Sequence, residues 1–154
     1  MTNRSVTFAT FALHRVYPAK PERVYRAFAD PVAKARWFSQ PEGYTITEQS
    51  LDFRVGGMEV TNGTFANGPS IEFLAHYQDI VPSERIIYSY AMKMDGNRIS
   101  VSVATLEFTP EGAGTKLTVT EQGAFLDGFD DPRERERGTI ELLDAIGRDI
   151  AAHP

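Results

Sequence analysis

One long amphipathic segment, Pro132 to about Ala151, closes a chain that reads from Tyr44 to Phe125 as a succession of strands. Asp131-Pro132-Arg133-Glu134 supplies an aspartate N-cap, a proline at the first helical position and a glutamate placed for a capping box. Wound at about 100° per residue, Thr139, Leu142, Leu143, Ile146, Gly147 and Ile150 share one face, while Glu141, Asp144 and Arg148 point away. Asp144 and Arg148 are spaced as an i,i+4 ion pair. A helix with one apolar stripe must bury it, and the only surface on offer is the sheet before it. The order therefore predicts an α+β fold in which a curved antiparallel sheet wraps one terminal helix. A cavity can remain where the strands outnumber what that helix covers.

The strands follow from period-two patterns and their punctuation. Val6 to Val16 is a first strand ended by Pro18, and Pro21 then opens a short helix with Val24 and Phe28 on one face. Asp30-Pro31 starts a second short helix, Val32 to Phe38, with Trp37 near its end. Tyr44 to Val55 reads as a strand, turned at Gly56-Gly57. Met58 to Phe65 follows with a bulge expected at Asn62-Gly63, then a hairpin at Asn67-Gly68 and a strand from Ile71 to Val81. Ile86, Tyr88, Tyr90, Met92 and Met94 alternate with Ile87, Ser89, Ala91 and Lys93 up to the Asp95-Gly96 hairpin. Beyond it Ile99, Val101 and Val103 share a face, whereas Leu106 and Phe108 fall on the opposite phase. A bulge near Ala104-Thr105 reconciles them. Gly112 and Gly114 mark a turn before the last strand, Lys116 to Phe125.

Composition narrows the function classes. A chain of 154 residues suits one domain, residues 1–154, and no apolar run approaches a membrane span. A formal charge of −5 disfavours nucleic acid and anionic membranes, which call for a basic face. With no cysteine there is no disulfide, thiolate metal site or cysteine nucleophile. His14, His76 and His153 lack metal-ligand spacing, so no metal or cofactor is expected. The segment Met1 to Val6 lacks the features of a secretory signal, which points to a cytoplasmic protein of bacterial style.

A family resemblance rests on residues in a fixed order. These are Arg15, Pro18-Ala19, Glu22 to Pro31, Ala35-Arg36-Trp37-Phe38, Asp52 to Gly57, Ile80 to Ile86, Gly114 to Thr118, and Gly138 to Ile150. Together they resemble the activator-of-heat-shock-ATPase homologue branch of the SRPBCC superfamily, from about Phe11 to Ile150. The resemblance implies the START-like helix-grip fold, with two short helices after the first strand. Many members of that branch carry Gly-Trp at the entry to the last helix, where this chain has Gly138-Thr139. An inward Trp would fill much of a cavity, whereas Thr leaves room and adds a hydroxyl.

Several residues are candidates for a site in that cavity. Glu121 continues the inward phase of Leu117 and Val119, so its carboxylate could orient a ligand or act as a general base, its pKa raised by burial. The plainer reading is a strand-end glutamate bonded to backbone or paired with an arginine such as Arg15. Tyr88, Tyr90 and Met92, with Trp37, Val101, Val103, Phe125, Thr139, Leu143 and Ile146, would line a pocket for a flat apolar or aromatic molecule, or simply form core. Arg133 to Arg137 alternates in charge, as solvated helical faces do.

Three functions are compatible with this pattern. The first is binding of a small hydrophobic molecule between sheet and helix for sequestration, transport or sensing. The second is a cyclase- or hydrolase-like enzyme with Glu121 as base and a tyrosine such as Tyr88 stabilising an oxyanion. The third, implied by the resemblance, is a co-chaperone-like regulator of a heat-shock ATPase. A homodimer through a sheet edge or the helix face is compatible with the sequence, which does not fix it.

Overall fold

The first strand, β1 (Val6–Tyr17), and the two short helices α1 (Pro21–Ala29) and α2 (Pro31–Trp37) precede an unbroken series of strands. These are β2 (Tyr44–Leu51), β3 (Met58–Phe65), β4 (Ser70–Val81), β5 (Arg85–Met94), β6 (Asn97–Glu111) and β7 (Gly114–Leu126). The chain ends in α3 (Pro132–Ala152). In the computed structural model, which describes residues 3–38 and 42–154, the seven strands form one antiparallel sheet in the order β1-β7-β6-β5-β4-β3-β2. Because β1 and β2 are opposite edges, the chain joining them must cross the sheet. The crossing carries α1 over β6 and β7 and brings α2 against α3. Both helical layers thus cover the same concave face, which is the helix-grip arrangement.

The core lies between that face and the helices. Tyr17, Val24, Phe28, Leu106, Phe108, Leu117, Leu143, Ile146 and Ile150 are buried in one cluster. The Tyr17 hydroxyl donates to the Leu143 carbonyl at 2.7 Å, and its ring lies against Gly147. Phe28 meets Trp37 and Phe108 edge-on at 5.0 and 5.8 Å. At the rim, buried Asp149 accepts from Arg36 at 2.7 Å and from Arg23 at 3.2 Å, which ties α3 to α1 and α2.

Five expectations change in detail. The second strand stops at Leu51 rather than Val55, because Arg54 donates back to the Asp52 carbonyl and the ring of Phe53 turns inward onto Tyr77 at 4.9 Å. Gly57 permits this tight return, since a Cβ there would collide with the Asp52 carbonyl. The irregularity expected at Asn62-Gly63 falls on the partner strand, where Thr47 is the extra residue between Ile46 and Glu48. The β6 phase change is at Ile99, between the Lys93↔Arg98 and Met92↔Ser100 pairs, not near Ala104-Thr105. At the start of α3 the Asp131 carboxylate caps the Arg133 N–H, but the Asp131 N–H bonds Asp130 and Glu134 pairs with Arg137, so no capping box forms. Finally, Asp144 pairs with Arg15 at 3.5 Å, across to β1, instead of with Arg148.

Candidate functional site

A cavity of about 320 Å³ lies between the concave face and α3, from Glu134 to Ile146. Its floor is Phe73 of β4, Tyr88, Tyr90 and Met92 of β5, Leu106 of β6, and Val119 and Glu121 of β7. Phe28, Lys34, Trp37 and Phe38 form one wall, and Arg135, Gly138, Thr139, Leu142, Leu143 and Ile146 form the roof. Alternation places these floor residues together, because inward positions on neighbouring antiparallel strands are in register: Tyr88 pairs with Tyr77 on one side and Ala104 on the other.

Of the residues expected at a site, Trp37, Tyr88, Tyr90, Met92, Glu121, Thr139, Leu143 and Ile146 line the cavity. Val101 and Val103 do not. The early phase change at Ile99 turns Ser100, Ser102 and Ala104 inward and leaves the two valines on the outer face, 45% and 41% exposed. Phe125 is buried but does not line the cavity, its ring 5.2 Å from the Arg135 guanidinium. Among the lining residues that the sequence does not mark as site candidates are Lys34, Phe38, Phe73, Leu106, Val119 and, above all, Arg135, which sits in a run of alternating charge. The signal existed: Arg135 is four residues before Thr139 and eleven before Ile146, in phase with the inward stripe.

Arg135 organises one end of the cavity. Its Nη1 donates to the Tyr90 hydroxyl at 2.9 Å, and its Nη2 donates to Ser100 Oγ at 2.9 Å and Asp130 Oδ2 at 2.7 Å. The Tyr90 hydroxyl in turn donates to Glu121 Oε1 at 2.8 Å, while Glu121 Oε2 lies 3.6 Å from Arg135 Nη1. Glu121 therefore has an arginine partner, but Arg135 on α3 rather than Arg15. Burial raises the Glu121 pKa above the ordinary carboxylate range, against the pull of Arg135 and the bond from Tyr90. Burial likewise works against the Arg135 charge, but Tyr90, Glu121 and Asp130 outweigh it and the guanidinium stays protonated.

A matching group stands toward β3. Lys34 Nζ donates to Glu59 Oε1 at 2.6 Å, and the Tyr77 hydroxyl donates to the same oxygen at 2.7 Å. Each of these two buried carboxylates thus has a cation and a phenol against it. Between the two groups lies Tyr88, its ring 5.8 Å from both Tyr77 and Tyr90. Among the described residues its hydroxyl has no hydrogen-bond partner. Burial, and then the nearby Tyr90, Glu121 and Glu59, push its pKa well above that of a free phenol, so it remains an O–H donor.

Glu121 is poorly placed as a base. Its Oε1 already accepts from Tyr90, and its Oε2 is sealed from solvent. A general base must reach the proton it removes. Among the described residues no group of three or more His, Asp or Glu side chains could hold a metal ion, and no helix is long and apolar enough to cross a membrane.

Residues 18–153 match the family model described as activator of Hsp90 ATPase homolog 1-like protein. This chain belongs to that family. Among solved structures, a Rhizobium loti protein is 46% identical with a TM-score of 0.88, over 94% of this chain and 99% of that one. A Rhizobium leguminosarum protein is 40% identical with a TM-score of 0.93, over 99% and 100% of the two chains. A Chromobacterium violaceum protein is 33% identical with a TM-score of 0.76, over 90% and 94%. No curated protein matches. Membership of the activator of Hsp90 ATPase homolog 1-like family accords with the curved sheet, the two helices after β1 and the terminal helix described above.

Proposed function

We propose that the protein binds a small hydrophobic or aromatic molecule in the cavity under α3, for sequestration, transport or sensing. The observation that supports this reading is an apolar hollow of about 320 Å³, within the range of small-molecule pockets, with the Tyr88 phenol at its floor unpartnered among the described residues. Trp37, Phe73, Met92 and Leu143 supply apolar contact, and Thr139 in place of a larger side chain leaves the roof open. Thermal-shift and native mass spectrometry against a panel of aromatic and lipidic compounds test it. The expected result is saturable binding that Thr139→Trp abolishes while the fold is kept. No saturable ligand in a broad panel overturns it.

The family description supports a second reading, regulation of a heat-shock ATPase. Stimulation of that ATPase by the purified protein, unaffected by Thr139→Trp, would favour it over the cavity. The enzymatic reading with Glu121 as base has the geometry against it, because Tyr90 and Arg135 already engage the carboxylate.

A further inference from the structure

The cavity wall carries charge, yet little of that charge is free to meet a ligand. Arg135 bonds Tyr90, Ser100 and Asp130, and two carboxylates, Asp130 and Glu121, stand against this one guanidinium. A third, Glu134, lines the same end and is itself paired with Arg137 at 3.0 Å. An incoming anion there would meet net negative charge and an arginine already engaged. At the other end Lys34 is paired with Glu59 at 2.6 Å, so an anion near it also faces a carboxylate. Burying an ionised group without a partner of its own is strongly unfavourable.

Among the described residues, the hydrogen-bonding groups left free to face the cavity are neutral hydroxyls, the unpartnered Glu121 Oε2 being sealed off 3.6 Å from Arg135 Nη1. The Tyr88 O–H has no acceptor among the described residues and stands on the cavity floor. Thr139 Oγ1 uses its proton on the Arg135 carbonyl at 3.0 Å, which leaves only acceptor capacity toward the roof of the cavity. Tyr90 is both donating and accepting already, and the Trp37 Nε1–H is bound to the Ala27 carbonyl at 2.7 Å.

Resting on the ligand-binding reading, we infer that the occupant is a neutral apolar molecule that offers a hydrogen-bond acceptor, such as a carbonyl, to Tyr88, and that carboxylates and amines of the same shape are rejected. An ammonium offers Tyr88 no acceptor; it could only donate to the phenol oxygen, and its charge would have to leave water for carboxylates already paired with Arg135 and Lys34. A carboxylate has acceptors but brings an uncompensated charge.

The test uses four naphthalene probes of matched shape: methyl 2-naphthoate, 2-naphthoate, 2-(aminomethyl)naphthalene and 2-ethylnaphthalene. Their affinities are measured by calorimetry at pH 7 with the wild-type protein, Tyr88→Phe and Lys34→Met. The expected order is ester first, the hydrocarbon about three- to tenfold weaker, and both ions at least about a hundredfold weaker. Tyr88→Phe should erase the ester's advantage over the hydrocarbon without lowering the melting temperature, since that hydroxyl holds nothing in the fold. Naphthoate binding as tightly as the ester, and losing affinity in Lys34→Met, overturns the inference in favour of an anion site at Lys34 while the cavity reading stands. The amine binding tighter than the ester overturns it equally. If none of the four binds, this inference fails, while the cavity reading is decided by the broad aromatic and lipidic panel.

Discussion

Along α3 the two halves meet the sheet differently. Toward the C-terminus, Leu143 and Ile146, at the far edge of the cavity, and Ile150 beyond it are nearly inaccessible and share a continuous apolar cluster with Tyr17, Val24 and Leu117. Toward the N-terminus the inward positions are Arg135, Gly138 and Thr139, and below them is a cavity. Dispersion and burial can locate the first half, because close-packed side chains resist displacement in every direction. They cannot locate a helix over empty space. There the position is set by directional contacts, the bonds of Arg135 to Tyr90, Ser100 and Asp130. A helix-grip protein can therefore keep a hollow under its helix if a buried polar cluster replaces the missing apolar filler.

The largest effects should separate these halves. Leu117→Ala at the packed end should destabilise by about 2–5 kcal/mol in chemical denaturation, through lost burial and an unfilled void. Met92→Ala on the cavity floor removes a comparable side chain where no close packing exists, and should cost clearly less. Equal losses would break the distinction. Next comes Arg135→Met, which strands Glu121 and Asp130 without their cation. The expected loss is about 1–3 kcal/mol, below that of an ordinary broken buried pair because Glu121 can take up a proton. Adding Glu121→Gln to Arg135→Met should recover part of it, and a strictly additive double variant would argue that the two residues do not act as a unit.

The pH dependence contrasts a carboxylate in each half. At the hollow end Glu121 has a folded pKa raised by burial. Its contribution is fully present below the ordinary glutamate value of about 4.3 and is lost as pH climbs through the raised one. At the packed end burial also works to raise Asp149, but the bonds from Arg36 and Arg23 outweigh it and hold its pKa below the ordinary aspartate value. Its contribution is present above about 3.9 and is lost as pH falls through the depressed value. Urea midpoints measured from acid to neutral pH should show it. Relative to wild type, Glu121→Gln should gain stability as pH rises, and the deficit of Asp149→Asn should shrink as pH falls. Parallel curves for the two variants would remove the contrast.

The fold was readable because its main constraints are periodic and local. The alternation of Ile86 to Met94, the Asp95-Gly96 turn and the capped stripe of α3 each appear in consecutive residues. The site was readable where it continued such a pattern, as with Tyr88, Glu121 and Thr139. It was hidden where a pairing between distant segments decides the outcome. Nothing adjacent in the chain says that Arg135 will meet Tyr90, 45 residues away, or that Asp144 will choose Arg15 over Arg148. Residue type misled as well, because an arginine among alternating charges is usually solvated.

The β6 phase shows how one residue redirects a whole face, and it yields the smallest effect. Apolar type suggested that Val101 and Val103 point inward, yet the extra residue at Ile99 reverses the alternation. Ser100, Ser102 and Ala104 then face the interior, where Ser100 Oγ accepts from Arg135 at the charged end of the cavity. Val101 instead lies in a cross-strand row on the outer face, paired with Ala91 and Ala124. Val101→Ser should change stability by no more than about 0.5 kcal/mol and leave the affinity of any cavity ligand unaltered. A loss of ligand affinity in that variant, with the fold intact, would mean that the inward phase of β6 is the one its apolar residues suggest, and the floor of the hollow would have to be redrawn around the valines.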